Sequence, residues 1–294
     1  MNIVVTGANG FIGKNLCVFL REHEQYHVIE IDRKTSEKAL QAGLSSADFL
    51  FHLAGINRPQ DISEFSTGNV DFTKLIADTL RKFNRNIPIV LSSSTQVEQD
   101  NPYGRSKLAA EEVIQNYSES TGALHYIYRF PNVFGKWSKP NYNSFIATFC
   151  NNIMKGAEIS IHDPHAPVSL VYIDDVCTSL LEILEGKVSP GFNKVPVEFN
   201  TTVGEVANII SSFKASRATL ITEPVGTGLT RALYATYLSY IHPDDFSYSV
   251  VSHADERGVF CEMLKTHNSG QFSFFTAHPG VTRGGHYHNT KAEK

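Results

Sequence analysis

A glycine triplet at the start of the chain limits what it can fold into more than any other feature. In VTGANGFIG, Gly7, Gly10 and Gly13 follow an apolar run and open a segment whose apolar residues, Phe11, Ile12, Leu16, Phe19 and Leu20, share one helical face. A strand, a glycine-rich turn and a helix in that order make a phosphate cradle. The turn lets backbone approach a pyrophosphate, and the helix N-terminus offers unpaired amides and the positive end of its dipole. The spacing predicts a dinucleotide-binding βαβ unit.

The alternation continues downstream. Apolar runs at NIVVTG, HVIEID, ADFLFHLAG, IPIVLSSS and ALHYIYRF read as strands, and segments of helical period lie between them. The expected fold class is therefore α/β, a Rossmann-type doubly wound parallel sheet with helices on both faces. Beyond about Phe130 the text loosens into RFPNVFGKWSKPNYN and HDPHAPVSL, mixed with helical stretches at DDVCTSLLEIL, VGEVANIISSF and LTRALYATYLSYI. An appendage of this kind sits over the carboxyl edge of such a sheet, where ligands bind, and is expected to be a substrate-binding lobe. From about Asp245, short alternating runs broken by Gly, Asn and Pro read as β structure. The expected division is 1–243, with the lobe mostly at 130–243, followed by a β segment at 244–294.

Composition matters here for what it excludes. With 41% hydrophobic and 19% charged residues in 294, the chain reads as globular, and it has no apolar run long enough to span a bilayer. A net charge of -4 provides no basic field for a nucleic acid. The opening MNIVVTGA lacks the basic start and long apolar core of a signal peptide, so the cytoplasm is the expected compartment. Cys17, Cys150, Cys177 and Cys261 are scattered, and read as small buried hydrophobes, not as a disulfide or thiolate-metal framework.

Three groups of residues carry chemistry. Asp32, at the end of the second apolar run, stands where an acid binds the ribose of NAD, but Arg33 and Lys34 follow at once and suit the 2′-phosphate of NADP. These residues leave both cofactors open. In YGRSK, Tyr103 and Lys107 are four apart and share a face of a helix expected from Asn101 onward. A phenol with a pKa of about 10 needs a neighbouring cation to exchange protons near neutrality. Ser94 ends the run LSSS, where its hydroxyl can meet a substrate oxygen at the sheet edge, whereas His52 is expected to be structural.

Together these features resemble the extended short-chain dehydrogenase/reductase family, which acts chiefly on nucleotide sugars. The resemblance covers residues 1 to about 240. It rests on the glycine motif, HLAG at His52–Gly55, Ser94, the Tyr103 and Lys107 pair, RFPNVFG at Arg129–Gly135, and VYIDDV near Asp174. One departure is that Ser94 and Tyr103 are only nine positions apart, so a tight connection must bring them together. The resemblance implies a cofactor held by Gly7, Gly10, Phe11, Ile12, Gly13, Asp32, Arg33, Lys34, Leu53, Ala54 and Lys107. It implies hydride transfer at a sugar carbon, with Tyr103 exchanging the hydroxyl proton, Lys107 holding the nicotinamide ribose and lowering the Tyr103 pKa, and Ser94 orienting the sugar oxygen. Asn132 would contact the substrate, with Lys136, Trp137 and Arg217 toward its UDP end. Family dehydratases carry an Asp-Glu pair directly after the serine position, and here Thr95 and Gln96 stand there, which leaves a 4-epimerase or a ketosugar reductase.

The closing GVTRGGHYHNTKAE fits the first cupin motif through His286, His288 and Glu293. Two histidines at i and i+2 share one face of a strand and can supply part of a metal site. A reductase of this family followed by a cupin is similar to the bifunctional enzymes of capsule and O-antigen precursor synthesis. In these, a metal-containing cupin epimerises C3 of a UDP-4-keto-6-deoxy-N-acetyl hexose, and the N-terminal domain reduces the C4 ketone. The resemblance implies NADPH as cofactor, with NAD kept open by Asp32, and a UDP-2-acetamido-2,6-dideoxy-L-talose type product. A UDP-hexose 4-epimerase and a non-catalytic dinucleotide-binding protein remain as alternatives. Residues 244–294 are expected to be the N-terminal fragment of a cupin, with zinc or another divalent metal bound only in a complete one. A homodimer is compatible with the apolar segment ALYATYLSYI, and neither a nucleic acid nor a membrane is expected as a partner.

Overall fold

The computed structural model describes residues 1–282 and 284. Its first half alternates as expected: β1 (Asn2–Thr6), α1 (Phe11–Arg21), β2 (His27–Ile31), α2 (Glu37–Ser46), β3 (Phe49–His52), α3 (Ser63–Phe65), α4 (Phe72–Lys82), β4 (Ile89–Ser94), α5 (Pro102–Thr121) and β5 (His125–Phe130). Then come β6 (Asn132–Phe134), α6 (Phe145–Met154), β7 (Pro167–Tyr172), α7 (Ile173–Leu184), β8 (Gly191–Asn193) and β9 (Phe199–Thr202). The chain continues through α8 (Val203–Thr219), α9 (Gly228–Leu238), β10 (Ser252–Asp255), β11 (Gly258–Lys265) and β12 (Gln271–Phe275).

By contacts these elements fall into two units. Met1–Phe145 with Pro167–Thr201 form the first, and Ile146–Ala166 with the chain from Thr202 onward form the second.

The first unit is built on a six-stranded sheet in the order β2-β1-β3-β4-β5-β8, every neighbour parallel. The chain moves one way across the sheet from β1 to β2, and the other way from β2 through β3 to β4 and β5. Right-handed crossovers therefore put α1 on one face and α2, α4 and α5 on the other. The core agrees with this: Leu40 and Leu44, Ile76 and Leu80, and Ile114 and Tyr117 pack in one cluster with the strand residues Val4, Leu50, Ile89 and Ile127. Helix α1 packs instead beside α7. The central strand β3 is buried at all four positions, as a parallel strand covered on both faces must be. A smaller sheet, β6-β7-β9, adjoins in the same unit.

Helix α5 has clear local causes. The Asn101 side chain accepts the Gly104 N–H at 2.7 Å, Pro102 occupies the first turn, and Gly122 ends the helix in the left-handed region at φ 71°. Its buried face includes Lys107 and Glu111 as well as Ala110, Ile114 and Tyr117. Charges on a core-facing stripe are unfavourable unless paired, and they mark where packing gives way to chemistry.

In the second unit, α8 opens with a capping box in which Thr202 and Glu205 satisfy each other's backbone amides. Phe213 of α8 packs on Tyr234 and Tyr237 of α9 at ring-centroid distances of 5.0 and 5.7 Å. The predicted C-terminal β segment forms an antiparallel sheet, β10-β11-β12. Phe272, Phe274 and Phe275 of β12 are exposed. His286, His288 and Glu293 lie outside the described residues.

Candidate active site

The cradle forms where the glycines predicted it. Gly7 adopts φ 68°, and a Cβ there would stand 2.8 Å from the Ala54 backbone, so the first turn lies directly against the loop after β3. A Cβ on Gly13 would run into the Gly7 carbonyl, so α1 can start this close to the turn only without a side chain. Gly10, the residue before α1, supplies no side-chain cap, which leaves first-turn amides to point outward. Phe11 and Ile12 open the helix, and Leu53 and Ala54 hold the facing loop through bonds from their amides to the Thr6 carbonyl and hydroxyl, both 3.3 Å. These features fit a dinucleotide pyrophosphate.

Asp32 directly follows β2, beside this turn. Its carboxylate accepts from the Asn9 side chain, from the Lys34 backbone N–H at 2.8 Å and from the Thr35 hydroxyl at 3.2 Å. These bonds, led by that from Lys34, hold its pKa below the ordinary value. The side chains of Arg33 and Lys34 are exposed next to it.

At the carboxyl end of β4 the structure brings Ser94, Tyr103 and Lys107 together. A single 3-10 turn, Thr95–Glu98, makes the short connection; Ser94 caps it by accepting the Gln96 N–H at 3.2 Å. Gly104 lets α5 settle on this turn, because a Cβ there would run into the Gln96 carbonyl. The Tyr103 hydroxyl reaches Ser94 in a side-chain hydrogen bond. Burial raises the phenol above its usual pKa, with that bond acting against the rise, so the net direction is upward and not the lowering expected from Lys107. The Lys107 ammonium is almost wholly buried, donates to the Ser92 carbonyl, and lies 3.5 Å from where a Cβ on Gly55 would stand. Burial lowers its pKa to about 8, with Glu111 opposing.

The remaining candidates are more dispersed. Asn132 donates to the Ser169 carbonyl at 3.3 Å across β6 and β7. The Lys136 ammonium stands 3.7 Å from Asp174, and Trp137, at φ 69°, packs under Lys14 of α1 at 4.3 Å. The structure thus seats the Lys136 and Trp137 pair against α1. Arg217 belongs to the second unit, where it donates to the carbonyls of Asp245 and Phe246 and lies over the Tyr248 ring. A cavity of about 290 Å³ opens at the carboxyl ends of β4, β5 and β8, lined by Thr95, Glu98, Arg129, Phe130, Phe192 and Lys194 among others. Among the described residues, no group of three or more His, Cys, Asp or Glu is placed to hold a metal.

Residues 3–194 match the NAD dependent epimerase/dehydratase family, and residues 253–294 match a polysaccharide biosynthesis C-terminal domain. The chain belongs to the NAD dependent epimerase/dehydratase family. Over its full length it is 51% identical to a UDP-2-acetamido-2,6-beta-L-arabino-hexul-4-ose reductase of Pseudomonas aeruginosa, covering 79% of that protein. The crystal structure of the capsular polysaccharide assembling protein CapF from Staphylococcus aureus superposes at a TM-score of 0.90 with 44% identity, over 99% of this chain and 79% of that one. A UDP-glucuronic acid 4-epimerase of Bacillus cereus in complex with NAD, at 20% identity and a TM-score of 0.71, shares the fold.

Within this epimerase/dehydratase fold, sequence reasoning took His52 as structural but missed Thr73 and Asn69, which hold the site from behind with it. His52 is buried, with Nδ1 at 2.7 Å from the Thr6 hydroxyl and Nε2 at 2.8 Å from the Thr73 hydroxyl. Thr73 in turn donates to the Asn69 carbonyl, so it accepts the Nε2 proton, and Nδ1 accepts from Thr6. Burial keeps this ring neutral, with a pKa near 3. The Asn69 amide brackets Ile56 in the loop after β3, accepting its N–H at 2.7 Å and donating to its carbonyl at 3.0 Å, and donates to Ser106 of α5 at 2.9 Å. An Asn inside a helical pattern is the signal that could have found this residue, because its amide competes with the helix backbone.

Proposed function

We propose that this chain reduces the C4 ketone of a UDP-2-acetamido-2,6-dideoxy-4-hexulose, using NADPH and giving a UDP-2-acetamido-2,6-dideoxy-L-talose type product. The observation that carries the reading is the convergence of Ser94, Tyr103 and Lys107 beside the glycine cradle, in a chain 51% identical end to end to a hexulose reductase. An oxidoreductase acting on a nucleotide sugar with a nicotinamide cofactor follows from this kinship, and the choice of NADPH belongs to the proposal. The pyrophosphate would lie on Gly7, Gly10, Phe11, Ile12 and Gly13, with Leu53 and Ala54 facing it, and the adenosine ribose would lie near Asp32, Arg33 and Lys34.

When bound, NADPH supplies the hydride that adds to C4. Tyr103 gives its hydroxyl proton to the ketone oxygen as the carbon–oxygen double bond becomes single, so that hydride and proton together complete the alcohol. A buried phenol with a raised pKa is protonated at neutral pH, the form a donor needs. Ser94 donates to the same ketone oxygen and steadies it. The Lys107 cation orients a ribose hydroxyl and stabilises the phenolate left on Tyr103. Asn132 is proposed to touch the substrate, with Lys136, Trp137 and Arg217 proposed as contacts for its UDP end.

The 4-epimerase and non-catalytic readings are not favoured, since the relative matched along the whole chain is a reductase. We place the reductase domain at 1–243 and a cupin fragment at 244–294, supported by its antiparallel sheet and its motif. No helix among the described residues is long and apolar enough to cross a membrane; a cytoplasmic site of action and a homodimer are parts of the proposal. The test is to mix the chain with the 4-keto sugar and NADPH and follow reduced-cofactor absorbance. Stoichiometric oxidation supports the proposal, and its absence with authentic substrate, or NAD carried tightly through purification with no net oxidation, overturns it.

A further inference from the structure

Asp32 poses a difficulty for the preference proposed above. An acid at the end of the second strand is the feature that selects NAD, by accepting the ribose hydroxyls, and it repels a 2′-phosphate. In this chain it stands directly before Arg33 and Lys34, which suit the phosphate. The geometry resolves the conflict.

An ionised carboxylate has about four acceptor positions. On Asp32 three are taken by the protein: Oδ2 by the Asn9 amide, and Oδ1 by the Lys34 N–H at 2.8 Å and the Thr35 hydroxyl at 3.2 Å. The turn closes on itself, because the Thr35 hydroxyl also accepts the Asp32 N–H at 3.0 Å and the Thr35 N–H bonds the Asp32 carbonyl at 3.1 Å. Asn9 sits in the phosphate cradle between Gly7 and Gly10, so its bond draws the carboxylate toward the glycine turn. An Asp32 held this way cannot offer both oxygens to a pair of ribose hydroxyls. Its charge is also already met by three donors.

We infer that Asn9, with Thr35, is a specificity-determining residue: it latches Asp32 onto the glycine loop and so leaves Arg33 and Lys34 to receive the 2′-phosphate of NADP. The inference rests on the NADPH reading and gives it a cause in residues outside the charged triplet. Such a latch predicts that the acid does not have to be replaced for the chain to favour NADP; it has only to be occupied.

Binding of adenosine 2′,5′-bisphosphate and of AMP to the whole chain, followed by titration calorimetry, tests this without substrate or turnover. Wild type should favour the bisphosphate. Asn9→Leu, which keeps the size and removes the donor, should move the affinity ratio toward AMP by about tenfold, the scale of one hydrogen bond to a charged group. Thr35→Val, outside the glycine loop, should move it the same way. In an Asp32→Ala background neither change should alter the ratio, because nothing remains to latch. An unchanged ratio in both single variants, or an equal loss for both ligands, overturns the latch. Arg33→Ala separates the two levels: if it leaves the wild-type preference intact, or if wild type favours AMP, the NADPH reading itself falls.

Discussion

Glu111 lies beneath Arg129, accepting from its Nε at 3.0 Å and its Nη2 at 2.7 Å, and takes the Ser93 hydroxyl as well. The carboxylate is 1% exposed and its partner side chain 31%, so the pair is sealed on one side and wet on the other. Glu111→Ala should lower unfolding free energy by about 2–3 kcal/mol, less than a fully buried pair would lose because water reaches the guanidinium. Chemical denaturation measures this, and a change within error would mean that Arg129 repacks over Phe192, whose ring it already overlies at 4.6 Å.

Lys107 links pH to both activity and stability, with opposite signs. Its pKa falls to about 8 on burial, so its charge, and with it turnover, should decline as pH rises through about 8. Its unfolded value is higher, so between the two the unfolded chain binds more protons and the Lys107 contribution to stability rises with pH. Glu111 raises this pKa, so Glu111→Gln should move the alkaline limb of kcat to lower pH. A limb at the same pH in both proteins would assign it to another group.

Tyr103→Phe keeps the ring that packs on Phe65 at 5.6 Å and removes only the proton donor. Turnover should fall by about 10²–10⁴ while cofactor affinity stays within twofold of wild type. Single-turnover kinetics with a parallel cofactor titration would show whether the two effects separate.

Gly104→Ala should damage the site without touching a reacting group. Its new methyl would meet the Gln96 carbonyl, and the Gln99 carbonyl at 2.8 Å, prising α5 away from the 3-10 turn that sets Ser94 against Tyr103. The expectation is a lower melting temperature and a fall in kcat larger than the change in KM. Wild-type kinetics in this variant would show that the contact tolerates a wider connection.

His52 should remain neutral through the working pH range, since both its nitrogens are engaged by threonine hydroxyls and its pKa lies near 3. The unfolded ring titrates near 6.5, so this residue's contribution to stability is complete above that value and is lost as pH falls toward 3. Proton NMR of the ring should show no titration between pH 5 and 8; a midpoint in that interval would rule out the assigned hydrogen-bond chain.

How far the sequence revealed this protein depended on the length of each signal. The five long apolar runs became β1 to β5 because Val, Ile and Phe in an unbroken row have few other uses. Strand β8, the three residues Gly191–Asn193, was not legible, nor were β6 and β9, because short strands carrying Asn and Thr look like loops until a neighbour pairs with them, while β7, six residues long, was hidden by the Pro and Ser in its first half. Tyr103 and Lys107 could be read because four-residue spacing on a helix is local. The state of Asp32 could not, because it depends on an amide 23 residues earlier. The same holds for His52, whose hydroxyl partners are 46 positions upstream and 21 downstream.

Ser94 ends β4, caps the turn that follows and meets the Tyr103 hydroxyl, all with one oxygen. A substitution there changes the course of the chain and the reacting group's neighbour at once. The rate lost in Ser94→Ala would therefore overstate what its hydroxyl does for the ketone, and only a variant in which the turn is capped by another side chain could divide the two. In this protein the short path from strand to helix makes conformation and chemistry a single inherited trait.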